Sequence, residues 1–312
     1  MSAATVSPVP AVGAQPPASP EAAIANRASV RRGPAMQALI WTLRNPAGLI
    51  GFLILVVLIL LALTANIIAP YDPIQQHPGQ ELLPPGGVYP LGTDELGRDL
   101  LSRILYGSRI SFMVGILAVA IGSVVGVCTG MLAGFFGGWV DMVIMRFYDA
   151  LQAFPGILLG IAIVSILGPS AINVAYALGI ATLPAFSRLT RSVVLTERER
   201  DYVLAARCLG ARDVRIMFGH VLPNCLAPLL VQMTLVMGIS VLAEAALSFL
   251  GLGAQPPDPS WGGMLNNSRA YLREAPWYGI LPGMALAIML VGLNYLADAV
   301  REALDPRRVR TM

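Results

Sequence analysis

Residues 48–69 read GLIGFLILVVLILLALTANIIA, a stretch of 22 residues without a charged side chain. About 20 apolar residues in a helix span the hydrocarbon core of a bilayer, so this stretch is long enough to cross a membrane. The whole chain shows the same bias, because 56% of its 312 residues are hydrophobic and 12% are charged. A typical soluble domain carries about 25% charged residues. The sequence therefore predicts an all-α integral membrane protein.

Further uncharged stretches predict five more membrane helices. The stretch between Asp149 and Arg188 holds 38 residues without charge, and the segment LGPSAIN at 167–173 divides it with turn-forming residues. One helix is therefore assigned to each side of that segment, the first beginning within the charged segment before it. The six predicted helices cover residues 46–70, 109–135, 141–167, 171–190, 221–250 and 277–300.

The distribution of arginine predicts the orientation of these helices. Segment 188–215 carries seven arginines and four acidic residues, whereas segment 72–109 carries three arginines and five acidic residues. Cytoplasmic loops are enriched in basic residues, so we expect segment 188–220 and both termini to lie in the cytoplasm. The tail at 1–35 is rich in Ala, Pro and Ser and is predicted to be disordered. Residues 304–312 are predicted to form a second cytoplasmic tail.

Two segments on the predicted external side carry patterns of their own. Residues 36–90 contain the first membrane helix and the start of an external loop. In TDELGRDLLSRILYG (93–107), Thr93 is a suitable N-cap, Gly107 is a suitable stop, and the apolar residues between them form one stripe. We therefore expect an external amphipathic helix over 91–108, lying on the membrane surface. Segment 251–272 is too rich in Pro and Gly for regular structure and is predicted to be an external loop.

The composition excludes several kinds of chemistry. The chain contains no lysine, so it has no G-x-x-x-x-G-K-[ST] loop for nucleotide phosphates. Its three cysteines and two histidines are scattered, which disfavours a disulfide framework, a metal site or a catalytic cluster. We predict no enzyme activity, no cofactor in this chain and no nucleic-acid partner. If ATP is used, another chain binds it.

Small residues recur at every fourth position of the second predicted helix. Such a pattern lets two helix backbones approach closely in lipid, so we expect a tight packing seam at these positions. A seam that also slides when the protein changes conformation is the alternative interpretation. The positions are Ala118, Gly122, Gly126, Gly130, Gly134 and Gly138, with the predicted packing role centred on Gly122, Gly126, Gly130 and Gly134.

The arginine-rich segment 188–222 has more pattern than a connector needs. Apolar Tyr202, Val203, Ala206 and Leu209 recur on one side of a predicted short helix, and Gly210 ends that helix. Two short helices joined at a glycine and held against the membrane can dock a soluble partner. The residues predicted to make this surface are Asp201, Tyr202, Ala205, Ala206, Arg207, Leu209, Gly210, Arg212 and Asp213.

The same segment resembles a known family motif. Ala205-Ala206, Gly210 and Leu222-Pro223 have the AA-x3-G-x11-LP spacing of the EAA loop in inner-membrane permease subunits of ATP-binding-cassette importers. Leu204 stands at the Glu position of that motif, and His220 stands at its later Ile position. Four more stretches resemble the C-type permease of dipeptide and oligopeptide importers, at 91–111, 134–155, 244–265 and 293–307.

The resemblance implies a type I (MetI-like) permease fold, with a five-helix core at 109–303 that includes the coupling loop. It also implies partners, namely a homologous B-type permease, two ATPase subunits that bind ATP and Mg, and an external solute-binding protein. In that family the loop is a coupling helix in a cleft of the ATPase subunit. The cargo implied is a dipeptide or oligopeptide, with glutathione or a nickel chelate as the alternative within this branch.

Glu244 is an unusual carboxylate near the external end of the fifth predicted helix, within an apolar context. Two roles are open for it: pairing with an arginine of the external loops, or lining the substrate path. Asp141, Arg146 and Asp149 are predicted to form a local ion network at the start of the third helix.

A secondary transporter or channel and a membrane scaffold are the competing classes of function. A secondary transporter usually places ionisable groups or broken helices at the middle of its spans as ion sites. No Arg, Asp or Glu falls in the middle of a predicted span here. A scaffold would not need a cytoplasmic docking loop.

Overall fold

The computed structural model describes residues 45–304. The predicted disordered tail at 1–35 lies outside these residues, as does almost all of the predicted C-terminal tail at 304–312. The described part is helical, and its only extended pairings are the isolated bridges Gly86–Tyr89 and Thr93–Asp99.

Ten α-helices make up the described part of the chain. One π-helical turn, Met217–Val221, and one 3₁₀ turn, Arg269–Tyr271, join neighbouring helices. The helices are α1 (Pro46–Ile68), α2 (Leu100–Phe136), α3 (Gly138–Gln152), α4 (Gly156–Leu167), α5 (Ala171–Glu197), α6 (Asp201–Cys208), α7 (Asp213–Ile216), α8 (Leu222–Phe249), α9 (Trp261–Ser268) and α10 (Pro276–Ala303).

Five helical stretches within residues 45–304 are long and apolar enough to cross a membrane. They are α1, α2, α5, α10 and the stretch from α7 through the π turn to α8. The pair α3 and α4 passes the same test together, which gives up to six spans. The predicted all-α membrane fold is therefore confirmed.

The prediction of one straight third helix over residues 141–167 is wrong. The structure divides it into α3 and α4, which are bent by 88° at the break between them. Pro155 stands immediately before α4. Proline lacks a backbone N–H and disfavours a helical conformation in the residue before it, so Pro155 favours a break in the helix at this position.

The prediction of a separate amphipathic helix at 91–108 is also wrong. Helix α2 begins at Leu100, where the Asp99 side chain accepts a hydrogen bond from the Ser102 backbone N–H at 2.8 Å. Thr93 caps nothing, because its hydroxyl accepts from the Leu83 N–H at 2.8 Å and donates to the Gln80 carbonyl at 2.6 Å.

Gly107 does not end a helix either, because it lies within α2, which runs for 37 residues from Leu100 to Phe136. A Cβ atom at Gly107 would lie 2.9 Å from the Trp261 ring. The glycine therefore makes room for a packed indole, and its role is one of packing.

Segment 188–222 is more helical than predicted. Helix α5 runs past the predicted end at 190 to Glu197, and the fifth membrane helix begins at Asp213 and not at 221. The connection between the two spans is therefore the short helix α6 with its flanking residues.

Helices α2 and α5 form the most extensive helix contact in the described chain. Gly122, Gly126, Gly130 and Gly134 of the predicted seam lie at this contact. Gly138 does not, because it begins α3 and a Cβ atom there would meet nothing within 4 Å. A Cβ atom at Gly126 would lie 2.6 Å from the Phe186 Cβ and 2.9 Å from the Leu183 carbonyl oxygen. At Gly134 it would lie 2.9 Å from the Val194 Cβ. The backbones of α2 and α5 thus touch where a side chain has no room.

Replacing Gly126 with valine is expected to separate α2 from α5. Overpacking a closely packed contact costs on the order of 1–3 kcal/mol. We therefore expect Gly126→Val to lower the thermal unfolding temperature of the purified protein in detergent. Gly156→Val is the matched control, because a Cβ atom at Gly156 meets nothing within 4 Å. Equal unfolding temperatures for the two variants would contradict the seam.

Candidate functional site

Helix α6 lies at one end of the membrane helices, which we call the arginine-rich end. The Arg198 Nη1 atom, just before α6, donates a hydrogen bond of 2.9 Å to the carbonyl oxygen of Gly134 near the end of α2. The Arg207 guanidinium, at the last turn of α6, stands 5.3 Å from the centre of the Phe135 ring. The last turn of α2 is therefore the support on which α6 rests.

Local sequence explains why α6 starts and ends where it does. Asp201 lies in its first turn and Arg207 in its last turn. A negative charge at the N-terminus and a positive charge at the C-terminus both interact favourably with the helix dipole and stabilise the helix. At its end, Gly210 has a φ of +76°. The Gly210 N–H donates to Arg207 O at 2.9 Å, and the Ala211 N–H donates to Ala206 O at 3.0 Å. These two bonds are a Schellman motif, so the predicted helix stop at Gly210 is confirmed.

One face of α6 is buried in the chain's own core. Val203 is 0% exposed and Ala206 is 9% exposed. Both belong to a hydrophobic cluster with Phe135, Val194 and Ile216, among others. Ala206 was predicted to contact a partner, but the structure places it on the inward face, where the α2 and α5 side chains cover it.

Tyr202 joins three helices at the arginine-rich end. Its hydroxyl donates a hydrogen bond of 2.7 Å to Glu197 Oε2 at the end of α5 and accepts one of 3.1 Å from Asn224 Nδ2 in α8. Burial, together with the bond to Glu197, raises the pKa of Tyr202 to about 12. The hydroxyl therefore keeps its proton at neutral pH and remains a donor. Tyr202 was predicted to dock a partner, and the structure uses it to hold α6 in place.

The opposite face of α6 is apolar and exposed. Leu209 is 88% exposed and Leu204 is 50% exposed, while Val214 and Phe218 beyond α6 are 65% and 49% exposed. Exposed apolar side chains that lie together mark interaction surfaces more often than isolated ones do. We call this set, completed by the exposed Ala205, the α6 surface: Leu204, Ala205, Leu209, Val214 and Phe218.

The remaining predicted docking residues surround the α6 surface. They are exposed, and none of them forms an ion pair within the described chain. Their charges are therefore available to a partner. The charged residues in this set are Asp201, Arg207, Arg212 and Asp213.

The sequence prediction missed three members of the α6 surface. Leu204 entered only as a departure from a family motif, and Val214 and Phe218 were not assigned. The signal was present at Leu204, because a helix that buries Val203 and Ala206 must turn its neighbours outward. No comparable signal existed for Phe218, since the π turn at 217–221 changes the face on which it lies.

The predicted ion network in α3 has different partners in the structure. Asp141 accepts two hydrogen bonds from Arg191 of α5, and Asp149 pairs with Arg188 of α5 at 2.7 Å. The pair between Arg146 and Asp149 is long, at 3.9 Å. The two carboxylates thus bind α3 to α5, and the bond at Asp141 is bidentate because Arg191 reaches both of its oxygens.

Glu244 is fully buried in α8, and its partners are two serines. Its carboxyl oxygens accept hydrogen bonds from Ser248 Oγ at 2.7 Å and from Ser111 Oγ at 3.2 Å. The alternative in which an arginine of the external loops pairs with Glu244 is therefore wrong for this structure.

Segments 69–99 and 250–275 pack together at the other end of the helices, which we call the loop end. Asp94 is 0% exposed and lies 2.6 Å from Arg98 Nε and 3.3 Å from Arg103 Nε. Glu95 accepts hydrogen bonds from Asn267 at 3.1 Å and from the Tyr278 hydroxyl. These bonds tie the start of α2 to α9 and α10.

Sequence reasoning missed this network. The alternating charges in DELGRDLLSR were assigned to the surface of a helix, where the structure buries them.

The described residues offer no group of three or more His, Cys, Asp or Glu side chains that could hold a metal ion. The site at the arginine-rich end therefore consists of a supported helix with an apolar surface. That arrangement suits protein binding.

Two sequence profiles match the chain. The profile of the family described as "Binding-protein-dependent transport system inner membrane component" matches residues 122–310. The profile described as "N-terminal TM domain of oligopeptide transport permease C" matches residues 37–85.

Curated relatives match over most of both chains. The di/tripeptide transport system permease protein DppC of Pseudomonas aeruginosa is 47% identical over 269 residues, covering 84% of this chain and 89% of the relative. The dipeptide transport system permease protein DppC of Alkalihalophilus pseudofirmus is 43% identical, covering 85% and 87%. The glutathione transport system permease protein GsiD of Pectobacterium atrosepticum is 42% identical, covering 85% and 88%.

A solved structure shares the fold. It is described as inward-facing conformations of the MetNI methionine ABC transporter, and it matches with a TM-score of 0.50 and 17% identity over 65% of this chain and 93% of that chain. The predicted MetI-like fold is confirmed by this match.

Removing the Tyr202 hydroxyl is expected to loosen α6. The lost hydrogen bonds amount to about 1–2 kcal/mol for this partly buried side chain. We expect Tyr202→Phe to raise the amide hydrogen-exchange rate of peptide 201–210 by about five- to thirtyfold, since 1.4 kcal/mol is a factor of ten. Tyr176→Phe is the control, because Tyr176 is 50% exposed and lies on α5, at a distance from α6 in the chain. Unchanged exchange in Tyr202→Phe would show that the apolar face alone fixes α6.

Proposed function

The chain belongs to the family of binding-protein-dependent transport system inner membrane components, and from that premise we propose that it is the permease subunit of an ATP-driven importer of short peptides. The observation that carries the proposal is the similarity to dipeptide and di/tripeptide permeases at 43% and 47% identity over most of both chains. The C-type profile at residues 37–85 supports the same subunit type.

The orientation we propose follows the arginine bias. The arginine-rich end faces the cytoplasm, with both termini, and the loop end faces the outside of the inner membrane. Asn45 and Glu302 support a shared side for the two ends of the described chain, because Asn45 Nδ2 donates to Glu302 Oε2 at 2.6 Å.

The partners we propose are a homologous B-type permease, two ATPase subunits and an external solute-binding protein. ATP and Mg are bound by the ATPase subunits, and this chain is the non-catalytic subunit that forms part of the path. The α6 surface is the dock for one ATPase subunit. Support comes from its exposed leucines and from charged neighbours that have no ion-pair partner within the described chain.

Helix α6 is held firmly enough to transmit a displacement. Its inward face is buried, Tyr202 bonds it to α5 and α8, and Arg198 bonds the preceding residues to α2. A partner that moves α6 therefore also moves the ends of three spanning helices, a rigid-body form of coupling. A sliding α2–α5 seam would be one way for the helices to respond.

Glutathione is a second candidate cargo, favoured by the 42% identity to a glutathione permease. It is itself a short peptide, so both cargoes need the same kind of path. An ATP-independent transporter is disfavoured, because the matched family works with a binding protein.

Reconstitution tests the cargo directly. The full complex in proteoliposomes is supplied with its binding protein and with radiolabelled dialanine, glutathione or a nickel chelate. We expect uptake of dialanine that requires both ATP and the binding protein. Uptake of glutathione alone would contradict the dipeptide cargo and identify glutathione as the cargo. Uptake of the nickel chelate alone would likewise identify a nickel chelate as the cargo.

Replacing Leu209 with aspartate is expected to weaken ATPase docking. Burial of a leucine side chain in an interface contributes about 1.5–3 kcal/mol, which corresponds to a factor of roughly ten to one hundred in affinity. We expect Leu209→Asp to reduce the ATPase subunits that co-purify with the permease at least tenfold. Val88→Asp is the control, because Val88 is 68% exposed and lies at the loop end. Full recovery of the ATPase with Leu209→Asp would contradict the proposed dock.

A further inference from the structure

A polar cavity of about 180 Å³ lies at the loop end, between the start of α2 and segment 251–267. It is smaller than the roughly 300–1,000 Å³ of pockets that hold drug-sized ligands, so it suits one end of a short peptide. The side chains that matter for its chemistry are Arg98, Arg103, Ser248, Gln255, Asp258 and Asn267.

The two arginines in the wall are already engaged. Both are 4% exposed, and Asp94 lies 2.6 Å from Arg98 and 3.3 Å from Arg103. Arg98 also pairs with Glu95 at 3.2 Å, and Arg103 Nη1 donates to Pro73 O at 2.8 Å. Asp94 and Glu95 therefore balance the two guanidinium charges, and the wall has no net positive charge to offer an anion.

Two further acidic side chains have no cationic partner within the described chain. Asp258 is exposed in the lining of the cavity, and it forms no ion pair there. Glu244 is 0% exposed beneath the cavity, and only Ser111 and Ser248 donate hydrogen bonds to it. A buried carboxylate without a cation is costly, and in a membrane protein it marks a functional position.

Ser248 connects the cavity to Glu244. Its hydroxyl donates to Glu244 Oε1 at 2.7 Å, which leaves the oxygen able to accept a hydrogen bond. The Gly253 backbone packs against one side of that oxygen, where a Cβ atom would have no room. Close packing fixes its position, because a Cβ atom at Gly262 would lie 2.6 Å from the Ser248 Cβ. Ser248 thus presents an acceptor to the cavity and shares its hydrogen with the carboxylate below.

We propose that this cavity binds the α-ammonium group of a short peptide that enters from the loop end, with Ser248 as acceptor, Asp258 as the negative charge and Glu244 as the buried carboxyl group that orients the Ser248 hydroxyl. The proposal rests on the proposed peptide cargo. An ammonium at Ser248 would lie one hydroxyl away from Glu244, which has no cationic partner among residues 45–304. A ligand carboxylate would instead meet engaged guanidinium groups and two acidic side chains.

The test measures binding to the purified permease–ATPase complex without the binding protein, by equilibrium dialysis with radiolabelled dialanine. We expect saturable binding that unlabelled dialanine amide displaces and N-acetyl-dialanine does not, because acetylation removes the ammonium charge. Glu244→Gln and Asp258→Asn are expected to weaken binding about tenfold or more. Glu274→Gln is the matched control, since Glu274 is an exposed acid at the same end of the molecule.

Equal displacement by N-acetyl-dialanine would overturn the proposal, as would wild-type affinity in both acidic variants. Asp258→Asn keeps the test valid if Glu244→Gln fails to fold, because Asp258 lies in an exposed loop. The uptake assay separates this inference from the proposed cargo. If the full complex takes up peptide but shows no ammonium-dependent binding, the inference is wrong and the proposed cargo stands. If the full complex takes up no peptide at all, both the proposed cargo and the inference that rests on it are wrong.

Discussion

The close approach of α2 and α5 is the constraint on which the rest of the structure depends. Gly126 and Gly134 let the two backbones touch, and the contact continues toward the arginine-rich end, where Arg191 of α5 holds Asp141 of α3. Lipid offers no hydrophobic force that draws apolar helices together, so van der Waals contact and polar bonds must do so. The α2–α5 pair therefore fixes where α3, α6 and the core around Phe135 can pack.

This constraint also explains why a short helix can act as a rigid body. An isolated helix of eight residues is marginal in water, because nucleation costs more than so few hydrogen bonds return. Helix α6 is stable because Val203 is buried against the α2–α5 pair and Tyr202 bonds it to Glu197. Its outer face is then free to be apolar, since the buried face and the Tyr202 hydroxyl already hold the helix. Stability and docking are divided between two faces of one helix.

The sequence predicted features that depend on local chemistry and missed those that depend on tertiary contacts. Uncharged length predicted the membrane helices, and Gly210 predicted the end of α6, because both signals act within a few residues. A separate helix was predicted to begin at Thr93, since nothing local shows that its hydroxyl binds Leu83 and Gln80. The inward position of Ala206 likewise depends on α2 and α5. Pro155 was a local signal for the bend in the third span, and the long uncharged stretch outweighed it.

Helix α8 connects the two ends of the molecule. Asn224, in its first turn, holds the Tyr202 hydroxyl, and Glu244 and Ser248 lie near its other end. Twenty residues separate Asn224 from Glu244, a rise of about 30 Å in an α-helix. The π turn that precedes α8 and Pro228 within it are positions where a helix bends readily. One continuous helix backbone therefore joins the Tyr202 contact of α6 to Ser248. The acceptor proposed for the peptide and the dock proposed for the ATPase are thus linked by a single helix, and the π turn and Pro228 are the positions at which that link can bend.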